Sequence, residues 1–550
     1  MKWLLTTFTH SVAKQIRAIK NVNEEKLENW LNEKIFGRCK GELLVYLAII
    51  IYTIIFSYAT ILKHYAFRSF AWDLGIVSQS LWTTLNDGRL LYYTPELFFN
   101  LSGSYFGLHF SPIMFLLLPI YAIHPAPETL FVFQSFILGL GALPLYWFAR
   151  DALHNKLIAV AFSLSYLLYA PLHGANWFDF HVQSFLPLFF FLAIYFFEHE
   201  NWKRYLVFTV LALAIAESVS MVVVFVGLYG LVKYKDILVK SLQQKSLVDK
   251  KILVPFATIM LAGSWFLLSR WIQDTFFPID PRFLEFYKAV DYWSILGVSG
   301  IDPITVPSYI ILNPIKVAEA LAFDAYLKLL FIVLIFGSLL FLSFRSSILI
   351  ISLSWLVPAL LSNEQKFYIL GSHYPLYLIP FIFLAAVDGM RKRNRDVKLP
   401  RFGNFARNLL ILGIIFSLFA SPLSPLLLTT DFTIPHFSEY TLPRIGPHEL
   451  ILQEMVTLVP HNASILTQNH IFSHFADRSN AYVYPLPSAF EYAPDAMNDY
   501  VNQLFMKSKY VLVDTKYDTN TASDILARIQ HYHPSFSLLK SEDGVYLYVK

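Results

Sequence analysis

The feature that most constrains this chain is an alternation of long apolar stretches with clusters of Lys and Arg. The first stretch, 43–62, is long enough to cross a hydrocarbon core of about 30 Å at about 1.5 Å per helical residue. Others follow at 128–149, 157–171, 182–198, 203–232, 252–270, 328–344, 347–361, 374–389 and 408–428. The remaining composition agrees, because 56% of the 550 residues are hydrophobic and only 15% are charged, which suits a bilayer as the main solvent. The pattern predicts an α-helical polytopic membrane protein with about 11 transmembrane helices.

The basic clusters fix the expected sidedness. Lys34, Arg38 and Lys40 precede the first stretch, and Arg150 to Lys156, Lys203 with Arg204, the run from Lys233 through Lys245 to Lys251, Arg345, and Arg391 through Lys398 and Arg401 to Arg407 all fall on the side that the positive-inside rule makes cytoplasmic. Parity then requires 203–232 to enter and leave on one face. Two arms of about 14 residues reach about 21 Å each, so Glu217 at the tip is expected beside a protein-lined or watery cavity.

Three regions follow: a cytoplasmic amphipathic arm at 1–41; a multi-pass domain at 42–429, with outer interfacial helices in 63–127 and a long outer loop at 271–327; and an outward-facing domain at 430–550. The last region reads as a small α/β soluble domain, with helices at 447–458 and 521–530 and strands at 510–513 and 545–549. The expected location is the plasma membrane, with the N-terminus inside and the C-terminal domain outside. Sequons at Asn100 and Asn462 lie on the assigned outer side.

A single cysteine, Cys39, rules out an intrachain disulfide or a Cys-built metal cluster. No Walker loop, dinucleotide glycine fingerprint, Gly-x-Ser-x-Gly or His-Glu-x-x-His occurs, which disfavours soluble-nucleotide chemistry, and nothing points to nucleic acid. His470 and His474 stand four apart, a spacing that can hold a metal, but no third ligand is evident and solvated surface histidines are the expectation.

Ionisable residues gather toward the outer side. Phe70, Leu74, Val77 and Leu81 recur at helical spacing and predict an amphipathic helix stopped by Gly88, with Asp73 in its first turn. Asp73 is either a helix cap or a base able to take a proton from a bound hydroxyl. His109 opens a short apolar helix ending near Ile123, and Asp179 and His181 stand at the outer end of another pass. Each alone is compatible with a cap or an interface anchor; together with Glu217 they point to a functional cavity, because ionisable groups near membrane depth are costly. The loop 271–327, with Asp274, Asp280, Arg282, Glu285, Lys288, Asp291 and Asp302 among aromatics, is a lid or an interfacial loop. Lys366 and His373 supply a cation and an imidazole able to meet a phosphate.

The run Phe70 to Trp82, with Leu108-His109-Phe110-Ser111-Pro112, Leu118-Pro119-Ile120-Tyr121, Leu143-Pro144-Leu145-Tyr146, Phe178-Asp179-Phe180-His181, Ala216-Glu217 and, in the tail, Tyr510 to Asp514 and Asp543-Gly544-Val545, resembles the predicted membrane protein family of domain of unknown function 2079. That family is in turn similar to the glycosyltransferase C superfamily, which includes protein O-mannosyltransferases. Its members use a polyprenyl-phosphate-linked sugar and carry an acidic residue in the first outer loop, a position that Asp73 matches. Many have an acidic pair there; Trp72 and Leu74 flank Asp73 instead, so a divalent-metal mechanism lacks its usual ligands and no metal residue is assigned.

The resemblance implies an inverting membrane glycosyltransferase that moves a sugar from a polyprenyl-phosphate donor to a hydroxyl of a glycan, lipid or protein acceptor on the outer face. Asp73 is then the catalytic base. His109, Asp179, His181, Glu217, Lys366 and His373 shape the substrate site, and membrane lipids and the lipid-linked sugar are the expected partners. The alternatives are a transporter or flippase of a lipid-linked saccharide, for which Glu217 speaks, and a non-catalytic cell-surface assembly protein.

Overall fold

A computed structural model describes residues 24–35, 37–244, 249–283, 292–298, 306–397, 402–424, 426 and 440–550. Most of the N-terminal arm, Lys245, Lys398 and Arg401 among the basic residues, and Glu285, Lys288, Asp291 and Asp302 of the long loop lie outside them.

The first apolar stretch forms one helix, Lys40–Tyr65, in which the Thr53 and Thr60 hydroxyls donate back to the carbonyls of Ile49 and Phe56, so neither polar group is left exposed to lipid. Pro127–Leu153, Lys156–Trp177, Lys250–Phe276 and Phe402–Ala420 are also long and apolar enough to span. Pro314–Ala322 and Ala325–Leu339 form a sixth candidate bent by 77°, while Val182–Glu198, Val219–Lys233 and Ser347–Leu361 are apolar but shorter. The helical membrane architecture with a small α/β tail is therefore present, but its passes are less uniform than the sequence predicts. Helix Ile379–Val397 is buried from Ile379 to Met390 and forms part of the bundle's centre, where length across a bilayer does not govern it.

The irregularities have local causes. Within Pro127–Leu153 the helix is interrupted at Gly141, where an added Cβ would come 2.7 Å from the Tyr166 hydroxyl; that hydroxyl donates at 2.8 Å to the Leu138 carbonyl, which also accepts from Gly141 N–H at 3.2 Å. The stretch 203–232 divides into Trp202–Leu213 and Val219–Lys233 with Glu217 in the break. Two carbonyls there find partners in the segment between the first two spanning helices: Ile113 N–H donates to Ala214 O at 2.9 Å and Ser111 Oγ–H to Ile215 O at 2.6 Å.

Basic residues assigned to one side meet in space. Asp388 contacts Arg391 at 2.5 Å and Lys392 at 3.0 Å, and Lys392 reaches the Arg345 carbonyl at 3.4 Å. The arm helix Glu24–Asn32 joins the bundle through Glu28, whose carboxylate accepts from the N–H groups of Lys156 and Leu157 at a helix N-terminus.

The tail contains a five-stranded mixed sheet. Its strands are β1 (Ile465–Thr467), β2 (Ala481–Val483), β3 (Tyr510–Asp514), β4 (Ser537–Glu542) and β5 (Val545–Val549), in the order β2-β1-β3-β5-β4. β1 is parallel to β2 and β3; β5 is antiparallel to β3 and β4. Helices Pro447–Leu458, Pro494–Lys507 and Thr519–Tyr532 accompany it. One apolar cluster combines Leu452, Met455, Ile471 and Phe472 of the tail with Phe67 and Ala71 of the segment that follows the first helix, so the tail is packed onto that segment.

This packing changes the segment after the first helix from what its periodicity predicts. Ala71–Gly75 is a π-helical turn running into the α-helix Ile76–Asn86, and Ile76 to Leu81 are all buried rather than half-exposed at an interface. The tail covers the polar side: Gln79 donates to the Arg478 carbonyl at 2.8 Å. His470 is likewise buried and His474 half-buried, instead of both being solvated. His470 contacts Asp514 at 3.2 Å, and His474 stacks on His64 at 4.1 Å between ring centroids.

Candidate active site

Asp73 lies in the π-turn. Its N-terminus carries no local cap, since Phe70 at the N-cap position has no side-chain acceptor. Two remote side chains serve: Asp179 Oδ2 accepts from Phe70 N–H at 2.6 Å and Asn469 Oδ1 from Ala71 N–H at 2.8 Å. The Asp73 carboxylate is therefore not required as a cap. It is directed at His181, with Oδ1 3.1 Å from Nε2, and stays 25% exposed.

His181 is oriented from its other side. Nδ1 lies 2.7 Å from the backbone oxygen of Asp179, and a carbonyl only accepts, so Nδ1 carries a proton and Nε2 faces Asp73. The ring is stacked on His373 at 3.9 Å and on Phe178 at 5.0 Å between centroids. His373 Nδ1 is buried without a hydrogen-bond partner among the described residues, and desolvation, followed by the charges of His181, His109 and Lys366, holds its pKa well below the usual histidine value.

Asp179 is placed differently from an open substrate ligand. Its side chain is buried and paired with the equally buried Lys63, Nζ to Oδ1 at 2.7 Å. It thus joins the C-terminal end of the first helix, the π-turn and, through its own carbonyl, the His181 ring.

Glu217 and His109 form a second carboxylate–imidazole pair, 3.0 Å apart, and Glu217 also accepts from Phe110 N–H at 3.0 Å. His109 remains 40% exposed; desolvation opposes its charged form, but the Glu217 carboxylate, with Glu96 behind it, raises its pKa. Ser218, beside Glu217, meets the Tyr377 hydroxyl at 3.0 Å. Lys366 stands apart from these contacts. It lies over the Tyr292 ring at 4.3 Å and 3.8 Å from Glu364, its charge still reaching His373.

Glu96 belongs to the same electrostatic neighbourhood, although no sequence pattern marks it. Burial pushes its carboxyl up to about 7, while the Tyr93 hydroxyl, donating to Oε2 at 2.6 Å, and the His109 charge lower it and the Asp73 charge raises it. Lys63, Glu96 and Asn469 are the site residues that sequence reasoning missed. Lys63 carried the clearest signal, a lysine near the end of an apolar pass.

Among the described residues, no group of three or more His, Cys, Asp and Glu side chains is arranged to hold a metal ion. Asn100 of the first sequon is buried, its amide donating to Tyr93 Oη at 2.9 Å and to Ser104 O at 2.8 Å, so it is not presented for glycosylation.

The profile of a family described as predicted membrane protein, DUF2079, matches residues 63–547. The chain belongs to this family. In DUF2079 terms the matched region begins at Lys63, so it takes in both carboxylate–imidazole pairs and nearly all of the tail. No curated protein matches the chain. Among solved structures, the chain is similar to ArnT from Cupriavidus metallidurans in its apo state, with 10% sequence identity, 90% of this chain and 97% of that chain covered, and a TM-score of 0.46.

Proposed function

We propose that this membrane protein is an inverting glycosyltransferase acting on a sugar carried by polyprenyl phosphate at the outer face. One observation carries the reading: a partly exposed carboxylate in the first outer loop, Asp73, faces an imidazole whose other nitrogen is fixed by a backbone carbonyl. A carboxylate so oriented is suited to accept a proton from an acceptor hydroxyl. The hydroxyl oxygen bonds to the anomeric carbon, the bond from that carbon to the phosphate oxygen breaks, and polyprenyl phosphate leaves with the electron pair. In this reading His109 and Glu217 supply hydrogen-bonding groups for sugar hydroxyls, and His373, on which the Lys366 charge acts, meets the departing phosphate.

The test is a density map of the purified protein incubated with polyprenyl phosphate. The reading expects a phosphate beside the His181–His373 stack, with its chain running into the bundle. A lipid phosphate bound only at the opposite face of the bundle contradicts it.

A further inference from the structure

The π-turn is the least self-sufficient element at this site. Its i to i+5 bonds, Gly75 N–H to Phe70 O at 3.0 Å and Ile76 N–H to Ala71 O, insert an extra residue into the helix and so set where Asp73 points. Such turns persist where surrounding contacts hold them, and here one of the two N-terminal donors is satisfied from the membrane body and the other from the tail.

The tail side is built to be rigid. Asn469 follows β1 at the carboxyl end of the parallel strands β1 and β3, the edge at which open α/β sheets commonly hold their ligands. Its neighbour Gln468 is fixed at both ends of its amide, accepting from Asp514 N–H at 2.6 Å and donating to Asp518 O at 3.1 Å. At this edge the sheet receives the chain's own first outer loop. Phe472 lies so close to Gly75 that a Cβ on residue 75 would come 2.6 Å from the ring, and Ser473 Oγ–H donates to Ser69 O at 3.3 Å.

We propose that the tail is a positioning element for the active site, in which Asn469 caps the π-turn in place of a local residue and thereby sets Asp73 against His181. Asn469 touches no reacting atom; it acts through Ala71 N–H. The inference rests on the glycosyltransferase reading for its consequence in turnover, but the capping itself is tested separately.

The experiment uses full-length protein in lipid nanodiscs and compares wild type, Asn469→Ala and Asn469→Asp, the last retaining an acceptor oxygen. Amide hydrogen exchange is followed in peptides covering Ser69 to Leu81, with the β3 peptide as a control for an intact tail. Asn469→Ala is expected to speed exchange at Ala71 and Gly75 by about tenfold or more with β3 unchanged, and Asn469→Asp to restore protection. In turnover of a panel of polyprenyl-phosphate-linked hexoses, the Ala variant is expected to lose kcat with donor KM unchanged, and the Asp variant to recover it.

Unchanged exchange in the Ala variant, or exchange in the Asp variant as fast as in the Ala variant, overturns the capping. Faster exchange with undiminished kcat, where Asp73→Asn is inactive, overturns the positioning role. Faster exchange together with full turnover by Asp73→Asn leaves the cap standing and removes Asp73 as the base; faster exchange with no turnover of any donor by wild type leaves the cap standing and removes the glycosyltransferase reading instead.

Discussion

Asp73 Oδ1 stands 3.1 Å from His181 Nε2, and the opposite edge of that imidazole is held 2.7 Å from the Asp179 backbone oxygen. The order of contacts, Lys63 to Asp179 to His181 to Asp73, makes the C-terminal end of the first helix part of the site's support. Asp179 serves this support twice, through its carboxylate on Lys63 and Phe70 N–H and through its carbonyl on His181.

The Lys63–Asp179 pair is buried on both sides, so removing one charge strands the other. Lys63→Met is expected to destabilise the protein by about 3–5 kcal/mol. The double variant Lys63→Met with Asp179→Asn, which keeps an acceptor for Phe70 N–H, should recover most of the loss. Thermal unfolding of the purified proteins in one detergent measures both; a single variant as stable as wild type contradicts the pairing.

Glu96 gives a pH dependence with a definite sign. Burial raises its pKa in the fold from 4.5 to about 7. Below about pH 4.5 it is protonated in both folded and unfolded chains and makes no difference. As pH rises toward 7 the unfolded chain releases the proton while the folded chain retains it, so stability falls, by about 3 kcal/mol in all, and above pH 7 the loss is complete. Glu96→Gln lacks this term and keeps an acceptor for the Tyr93 hydroxyl. Its melting temperature relative to wild type should therefore be higher at pH 8 than at pH 5; an equal difference at both pH values contradicts the assignment.

Sidedness can be read with thiol labels, because the one native cysteine, Cys39, is buried. Leu539→Cys, on the exposed strand β4, should react with a membrane-impermeant maleimide in intact cells. Lys203→Cys, in an exposed first turn of its helix, should react only after permeabilisation. The reverse pattern places the tail in the cytoplasm and defeats an outer-face reaction.

The apolar stretches and their basic flanks made the helical membrane architecture legible, and the short runs of Val, Leu and Tyr at 510–513 and 545–549 marked two tail strands. The breaks were less legible because tertiary partners produce them. The carbonyls of Ala214 and Ile215 are released from their helix because Ile113 N–H and Ser111 Oγ–H can take them. At the site, Asp73, His109, Asp179 and His181 stood out as ionisable groups near predicted outer ends and Glu217 as one at the tip of a stretch too short to cross, and they meet in two pairs and, with Lys63, one buried ion pair. Asn469 had no local signal, being 398 residues from the N–H it accepts. Glu96 follows Pro95 in a loop, where no periodicity separates a buried acid from a solvated one.

The central claim is that Asp73 is the base in transfer from a polyprenyl-phosphate-linked sugar. The most direct measurement is release of polyprenyl phosphate from a panel of such donors by purified wild type and Asp73→Asn, with both variants' folding checked by melting temperature. The account predicts turnover by wild type with at least one donor and a loss of about 100-fold or more in the variant, in keeping with removal of a general base. Turnover by Asp73→Asn at the wild-type rate contradicts it.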